Sequence, residues 1–220
     1  MKFRKGSMPF LLVALVLTTG PRMNGNDSNG EHRFHLHSRT FANHTTLPLS
    51  TIATFPVSST NSSNACTFNG EAGGNQSPEL SWAGAPERTR SFVVVMYDVT
   101  ASFTHWGMYN ISGKASGLPA NAGVANSSFG NQIANDYGIG DLSYDGPCPP
   151  TGASPQTHDY VFTVYALDTR LPMLAAFGDF QPGSEALYHA LVAAARDGHI
   201  LASASLVSSY SAAAPPGSGK

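Results

Sequence analysis

A mainly β protein is predicted by three features of this sequence. Only 12% of the 220 residues are charged, while 22 are Gly and 15 are Pro, a turn-rich balance that favours short strands over a helical bundle. From Tyr160 onward the chain alternates: Tyr160, Phe162, Val164 and Ala166 share one face, and Val161, Thr163, Tyr165 and Leu167 the other. Both faces are apolar, which predicts a central strand over His158–Asp168 covered on each side. Just before it lies Gly146-Pro147-Cys148-Pro149-Pro150. Its prolines have fixed φ and no amide donor, so the loop stays out of a sheet, while Gly146 lets a ligand approach the backbone. Loop and strand together predict a small anion pocket at the mouth of a β-fold.

The remaining elements follow in chain order. Met1-Lys2-Phe3-Arg4-Lys5 and the apolar run to Leu17 have the form of a basic n-region and a short h-region, so residues 1–20 read as a signal peptide. The run is well short of the ~20 residues that cross a bilayer. The expectation is an exported chain, periplasmic or secreted, with no stable membrane insertion after cleavage. An uncleaved anchor is the alternative, because no Ala-x-Ala site follows and Pro21 is awkward at a cleavage point. Residues 21–31 are mostly Asn, Gly, Asp and Ser, a linker too polar to repay ordering. Phe34, Leu36 and Ser38 then alternate with His35 and His37, predicting a first strand with its histidines on the solvent side. A metal role for His32, His35 and His37 is the lesser reading, since no carboxylate or cysteine completes the set.

Further strands are predicted over Ser91–Tyr97 and His105–Ile111, both rich in β-branched and aromatic residues. Ser184 is placed to cap a helix running to about Arg196, with Leu187, Ala190, Leu191 and Ala194 at helical spacing and Gly198 closing the end. A last strand covers Ile200 to Tyr210, and residues 212–220 are expected to be a disordered tail. Asn-x-Ser/Thr sequences at Asn26, Asn43, Asn61, Asn75, Asn110 and Asn126 matter only if the host glycosylates.

Composition also excludes. A formal net charge of −2 gives no general attraction to nucleic acid or an acidic membrane, so anion binding needs a local constellation. The only cysteines are Cys66 and Cys148. In an oxidising compartment two thiols tend to pair, so a disulfide is expected. The rivals are a metal site, for which the Cys-x-x-Cys spacing is missing, and two unlinked buried thiols.

Several segments stand in an order that resembles the phosphatidylethanolamine-binding proteins. They are Asn75-Gln76-Ser77-Pro78-Glu79-Leu80-Ser81-Trp82, Ser91–Asp98, His105-Trp106 with Tyr109-Asn110-Ile111, the Gly146–Pro150 loop, and His158-Asp159-Tyr160-Val161-Phe162. The likeness runs from about Phe34 to Tyr210, within a domain bounded at 32–211, and is strongest to the bacterial YbhB/YbcL-type, Raf-kinase-inhibitor-like branch, many members of which share the cysteine pair. It implies a β-sandwich of two antiparallel sheets with a few short peripheral helices, one near the C-terminus. It also implies a pocket for phosphate, acetate or a phosphorylated lipid headgroup, acting by binding and without a cofactor or metal. Carried over by motif, the pocket residues are Asp98, His105, Gly146, His158 and Tyr160, with Cys66 and Cys148 tethering the loop.

The chemistry of those residues agrees with that role. Two histidines can donate to an anionic oxygen, Tyr160 adds a hydroxyl, and Asp98 can orient an imidazole or accept from an ammonium. On local sequence alone His105 reads more readily as a core histidine satisfied by backbone, and Asp98 and His158 equally well as turn residues. One departure stands out: where the family usually reads Asp-Pro-Asp-Ala-Pro, this chain has Asp98-Val99-Thr100-Ala101-Ser102. The loss of two prolines and an acid predicts a more open rim. Two other functions compete: an inhibitor of a protease or kinase acting through the Thr151–Thr157 loop, and a hydrolase using the His/Asp/Tyr set, for which neither a Gly-x-Ser-x-Gly elbow nor a recognisable catalytic cysteine is present.

Overall fold

The computed structural model describes residues 33–138, 142–152, 154–175 and 182–213. The expected signal peptide, the linker, His32 and most of the tail lie outside them.

Eleven strands and one α-helix are built from these residues: β1 (His35–His37), β2 (Thr45–Thr46), β3 (Pro56–Ser58), β4 (Asn61–Asn64), β5 (Leu80–Ala83), β6 (Ser91–Asp98), β7 (Phe103–Ser112), β8 (Gly117–Leu118), β9 (Asn131–Gln132), β10 (His158–Leu167), α1 (Ser184–Arg196) and β11 (Ile200–Tyr210). The main sheet has the order β2-β11-β10-β6-β7-β9, and a three-stranded sheet the order β1-β5-β8. Pairing is antiparallel in both except for the short parallel contact of β2 with β11, and β3 with β4 forms a separate hairpin.

Period-two alternation makes the sandwich. Phe92, Val94 and Met96 of β6, Phe162, Val164 and Ala166 of β10, and Trp106 and Met108 of β7 share one core with Leu36, Leu80, Trp82 and Leu118 of the smaller sheet. Trp82 and Phe92 meet across it, ring centroids 5.0 Å apart. Truncating a fully buried member such as Phe162 to Ala is expected to cost about 3–5 kcal/mol. The alternate residues, Val93 and Leu167 with Tyr109 and Ile133, form a second core against Leu187 and Ala194 of α1. That outer face of β10 is less closed than its alternation predicts: Val161, Thr163 and Tyr165 are half-buried, because one helix cannot cover a ten-residue strand.

The helix begins where its periodicity predicts but is capped differently. Gly183 occupies the N-cap without a side-chain bond, and Ser184 Oγ donates instead to Asp136 Oδ1. Gly198, at φ +76, closes the other end: its N–H donates to the Ala195 carbonyl and that of His199 to Ala194, the left-handed turn that glycine adopts without strain. In β1, Leu36 is buried while His35 and His37 face solvent. No helix among the described residues is long and apolar enough to cross a membrane.

Candidate functional site

Strand parity carries three polar residues to one end of the inner core. Asp98 continues the Phe92-Val94-Met96 face of β6 by one step, and Tyr160 and His158 continue the Phe162-Val164 face of β10. Asp98 and Tyr160 are paired in the ladder. His105 arrives by another route. Pairing of β6 with β7 shifts between Met96 and Tyr97, so that Met96 faces Trp106 and Tyr97 faces Thr104, and His105 is the extra residue of a β-bulge. The bulge turns both His105 and Trp106 inward, where regular alternation would bury only one.

The hydrogen bonds define what each group can still do. Asp98 Oδ2 lies 2.7 Å from His158 Nδ1, with both side chains buried. Its Oδ1 accepts the N–H groups of Thr100 and Ala101, each at 2.8 Å. Facing only N–H donors, Asp98 is an acceptor throughout, so the His158 proton on this side sits on Nδ1. His105 Nδ1 is 2.8 Å from the backbone carbonyl of Asp145, and because a carbonyl only accepts, that nitrogen too carries the proton. With Nδ1 facing an acceptor, the neutral form of either ring leaves Nε2 as a lone-pair acceptor. In each ring the Nδ1 proton is thus committed to a protein acceptor, and Nε2 is the nitrogen left for a ligand.

Burial holds the His105 imidazole below its ordinary value near 6.5, opposed by its bond to the Asp145 carbonyl and by Asp98, Asp136 and Asp145 nearby. Burial also raises Tyr160, keeping its hydroxyl a neutral donor. That hydroxyl is buried and has no hydrogen-bond partner among the described residues. The ring of Tyr160 packs edge-on to His105 at 5.3 Å and lies near-parallel to His158 at 6.5 Å. Half-buried Phe103 and Tyr137 lean on the other sides of His105, centroids at 4.9 and 5.5 Å, and separate it from solvent.

Gly146 stands beside this group but not for the reason its sequence suggests. A Cβ there would lie 1.9 Å from the Thr51 carbonyl oxygen, so the missing side chain lets two backbones pass. Its N–H is donated to Asn75 Oδ1 and its carbonyl accepts from the Tyr137 hydroxyl. What Gly146 contributes is the position of the preceding Asp145. That carboxylate is buried, and accepts the side-chain amides of Asn75 at 2.9 Å and Asn135 at 2.7 Å. Asn75, Asn135, Asp145, Phe103 and Tyr137 are site residues that motif and periodicity did not single out as chemistry. The Asn75-Gln76-Ser77-Pro78 segment was the available signal for the first of them.

The rim is tighter than the lost prolines predict. Val99 N–H donates to the Asp159 carbonyl, and Thr100 Oγ1 accepts the Asp159 N–H, so with the two bonds to Asp98 Oδ1 hydrogen bonding supplies the rigidity. On the opposite wall Cys66 and Cys148 are at disulfide-bonding distance, their Cα atoms 4.4 Å apart. Thr151, Gly152 and the segment from Ser154 to Thr157 are exposed. Among the described residues no group of three or more His, Cys, Asp or Glu side chains is arranged to hold a metal ion.

Comparison with known proteins agrees with the fold and the order of these segments. A protein of the UPF0098 group from Methanothermobacter thermautotrophicus is 36% identical over 141 residues, 63% of this chain and 84% of its own length. Escherichia coli YbcL is 40% identical over 105 residues, 44% of this chain and 55% of its length, and YbhB 38% identical over 117 residues, 46% and 66%. The alignments to those two proteins thus span between half and two thirds of their lengths. The crystal structure of YbcL, described as a new member of the mammalian PEBP family, superposes with a TM-score of 0.62 at 28% identity, covering 81% of this chain and 98% of that one. Residues 37–211 match the phosphatidylethanolamine-binding protein family. In its sandwich and in the match over most of its length, the chain belongs to the phosphatidylethanolamine-binding protein family.

Proposed function

We propose that this chain is an exported binding protein for a small anion or a phosphorylated lipid headgroup, and that it acts by binding, with no catalytic step. One observation carries the reading: a buried Tyr160 hydroxyl without a protein partner, set between His105 and the Asp98–His158 pair. A buried polar atom is normally satisfied, and one left over where two imidazoles also have a nitrogen to offer fits a ligand oxygen. Export is supported by the N-terminal pattern and by the paired cysteines. Binding without turnover is supported by the chemistry at hand: both cysteines are paired, and the described groups around His105 are carboxylates, phenols and imidazoles with no serine or thiol nucleophile among them. Presentation of the occupied site to a protein partner is part of the proposal, with the exposed loop after Pro150 as the contact surface.

Titration calorimetry with inorganic phosphate and phosphoethanolamine tests it. Saturable binding that is lost in His158→Ala is the expected result. Hydrolysis of a phosphate or carboxylate ester, abolished in both His105→Ala and His158→Ala, would replace the binding reading by the hydrolase one. Should neither ligand nor turnover be found, partner capture that depends on the loop at Thr151–Thr157 would favour the inhibitor reading.

A further inference from the structure

We propose that this site takes an oxyanion only together with a proton, so that its ligand is an acid in its hydroxyl-bearing form, such as a phosphomonoester monoanion, and not a fully ionised dianion. The inference rests on the anion-binding reading and narrows it. It follows from a count of donors. His105 gives its Nδ1 proton to the Asp145 carbonyl at 2.8 Å, and His158 gives its own to Asp98 at 2.7 Å. In their neutral forms the two rings have only Nε2 lone pairs left to offer a ligand. The Tyr160 hydroxyl, unpartnered among the described residues, is a neutral donor.

The charges around these groups have one sign. Asp98 stands at the end of β6, Asp145 before the glycine-proline loop, Asp136 in the segment after β9 and Asp159 next to His158 in β10. Of these, Asp98, Asp136 and Asp145 act on His105. The titratable rings packed on it, Tyr137 and Tyr160, are kept protonated by burial and bring no positive charge. A dianion entering here would meet two lone pairs and several carboxylates, with one hydroxyl to receive it.

A monoanion with an O–H group reverses that balance. Its hydroxyl donates to an imidazole Nε2, and an ionised oxygen accepts from Tyr160. If the proton crosses to the imidazole, the same hydrogen bond exists with donor and acceptor exchanged. In either case one proton is shared between ligand and ring, no covalent bond changes, and a ligand that is dianionic in solution must draw that proton from the buffer. Because burial opposes charging His105 in the free protein, the proton arrives with the ligand and is not stored beforehand.

Methyl phosphate and sulfate separate the cases, because a phosphomonoester loses its second proton near pH ~6 whereas sulfate stays fully ionised throughout. Calorimetry on the intact chain, in paired buffers of different ionisation enthalpy, should find uptake of about one proton per methyl phosphate at pH ~8. Affinity for total methyl phosphate should fall about tenfold per pH unit above the ligand's own ionisation, and sulfate should bind at least ~10-fold more weakly at pH ~7. In His105→Gln, whose amide supplies a donor that does not titrate, the gap between the two ligands should narrow. Affinity flat with pH, without proton uptake and with sulfate equal to methyl phosphate, would overturn the inference while leaving anion binding intact. Absence of binding by phosphate, methyl phosphate and acetate at every pH would remove the anion-binding reading itself, and this inference with it.

Discussion

The two ends of strand β7 are built from the same parts and finish differently. Each carries an irregularity in its pairing with β6, and each stands near an aspartate–histidine contact. At the far end Asn110, at φ +58, turns its side chain onto the chain itself, donating to the Leu171 carbonyl at 2.9 Å and accepting the Leu171 N–H at 2.8 Å. Asp168 there meets His199 at 2.9 Å and Arg88 at 3.6 Å, with side-chain exposures of 21%, 47% and 77%. At the near end His105 uses one nitrogen on the Asp145 carbonyl, and the Asp98–His158 pair is 3% and 8% exposed. The same contact is a solvated decoration at one end and a buried, oriented pair at the other. What distinguishes a site is therefore unused hydrogen-bonding capacity held under cover, which no inventory of residue types reveals.

Substitutions can break this contrast, beginning with the largest effect. Asp98→Ala leaves His158 buried without its acceptor and frees the Thr100 and Ala101 amides, and should lower unfolding free energy by about 3–5 kcal/mol in urea titrations while abolishing ligand binding. Asn75→Ala removes partners from Asp145 and from the Gly146 N–H together, and is expected to cost about 1–3 kcal/mol and to loosen the wall beside His105. A ligand-affinity loss without any change in stability would contradict that positioning role.

Acid should act on the near end as well. His105 binds its proton less readily folded than unfolded, so stability that is complete above the unfolded value near 6.5 should decline as pH falls below it, toward the lower folded value. Thermal unfolding at successive pH values checks this, and His105→Gln should flatten the decline. Tyr160→Phe deletes a hydroxyl with no protein partner, so stability should hold within ~1 kcal/mol or rise, while anion affinity drops about tenfold. The smallest effect belongs to the far end: Asp168→Ala breaks exposed contacts only, and should change stability by no more than ~1 kcal/mol and leave binding untouched.

Much of the scaffold is legible in the sequence because its long elements carry their own periodicity. Strands β6, β10 and β11 and helix α1 follow from spacing to within a residue or two at each end. The short strands β2, β8 and β9 have two residues each and no pattern to read, since pairing with a longer neighbour defines them. The polar Asn61–Asn64 strand is invisible for the same reason. Asp98, Tyr160 and His158 converge by parity, which a reader of the sequence can follow. His105 does not, because its direction depends on a bulge, and a bulge is a property of two strands. The amides of Asn75 and Asn135 reach Asp145 across 70 and 10 positions, a proximity that only the folded chain supplies. Gly146 shows the opposite failure: glycine is correctly read as a close approach, but the approaching group is the Thr51 carbonyl.

The cysteine pair joins positions 82 residues apart, and it reaches the wall that sets Asp145. With the thiols reduced that wall would be left to hydrogen bonds: the Tyr144 hydroxyl on the Thr51 carbonyl, Ala53 N–H on Pro147, the Tyr137 hydroxyl on the Gly146 carbonyl, and the Asn75 and Asn135 amides on Asp145. By loop-closure entropy a cross-link of this span contributes about 4–5 kcal/mol against unfolding. Reducing the pair is therefore expected to lower unfolding stability by about that amount and to leave the Asp145 carbonyl that His105 uses held by hydrogen bonds alone.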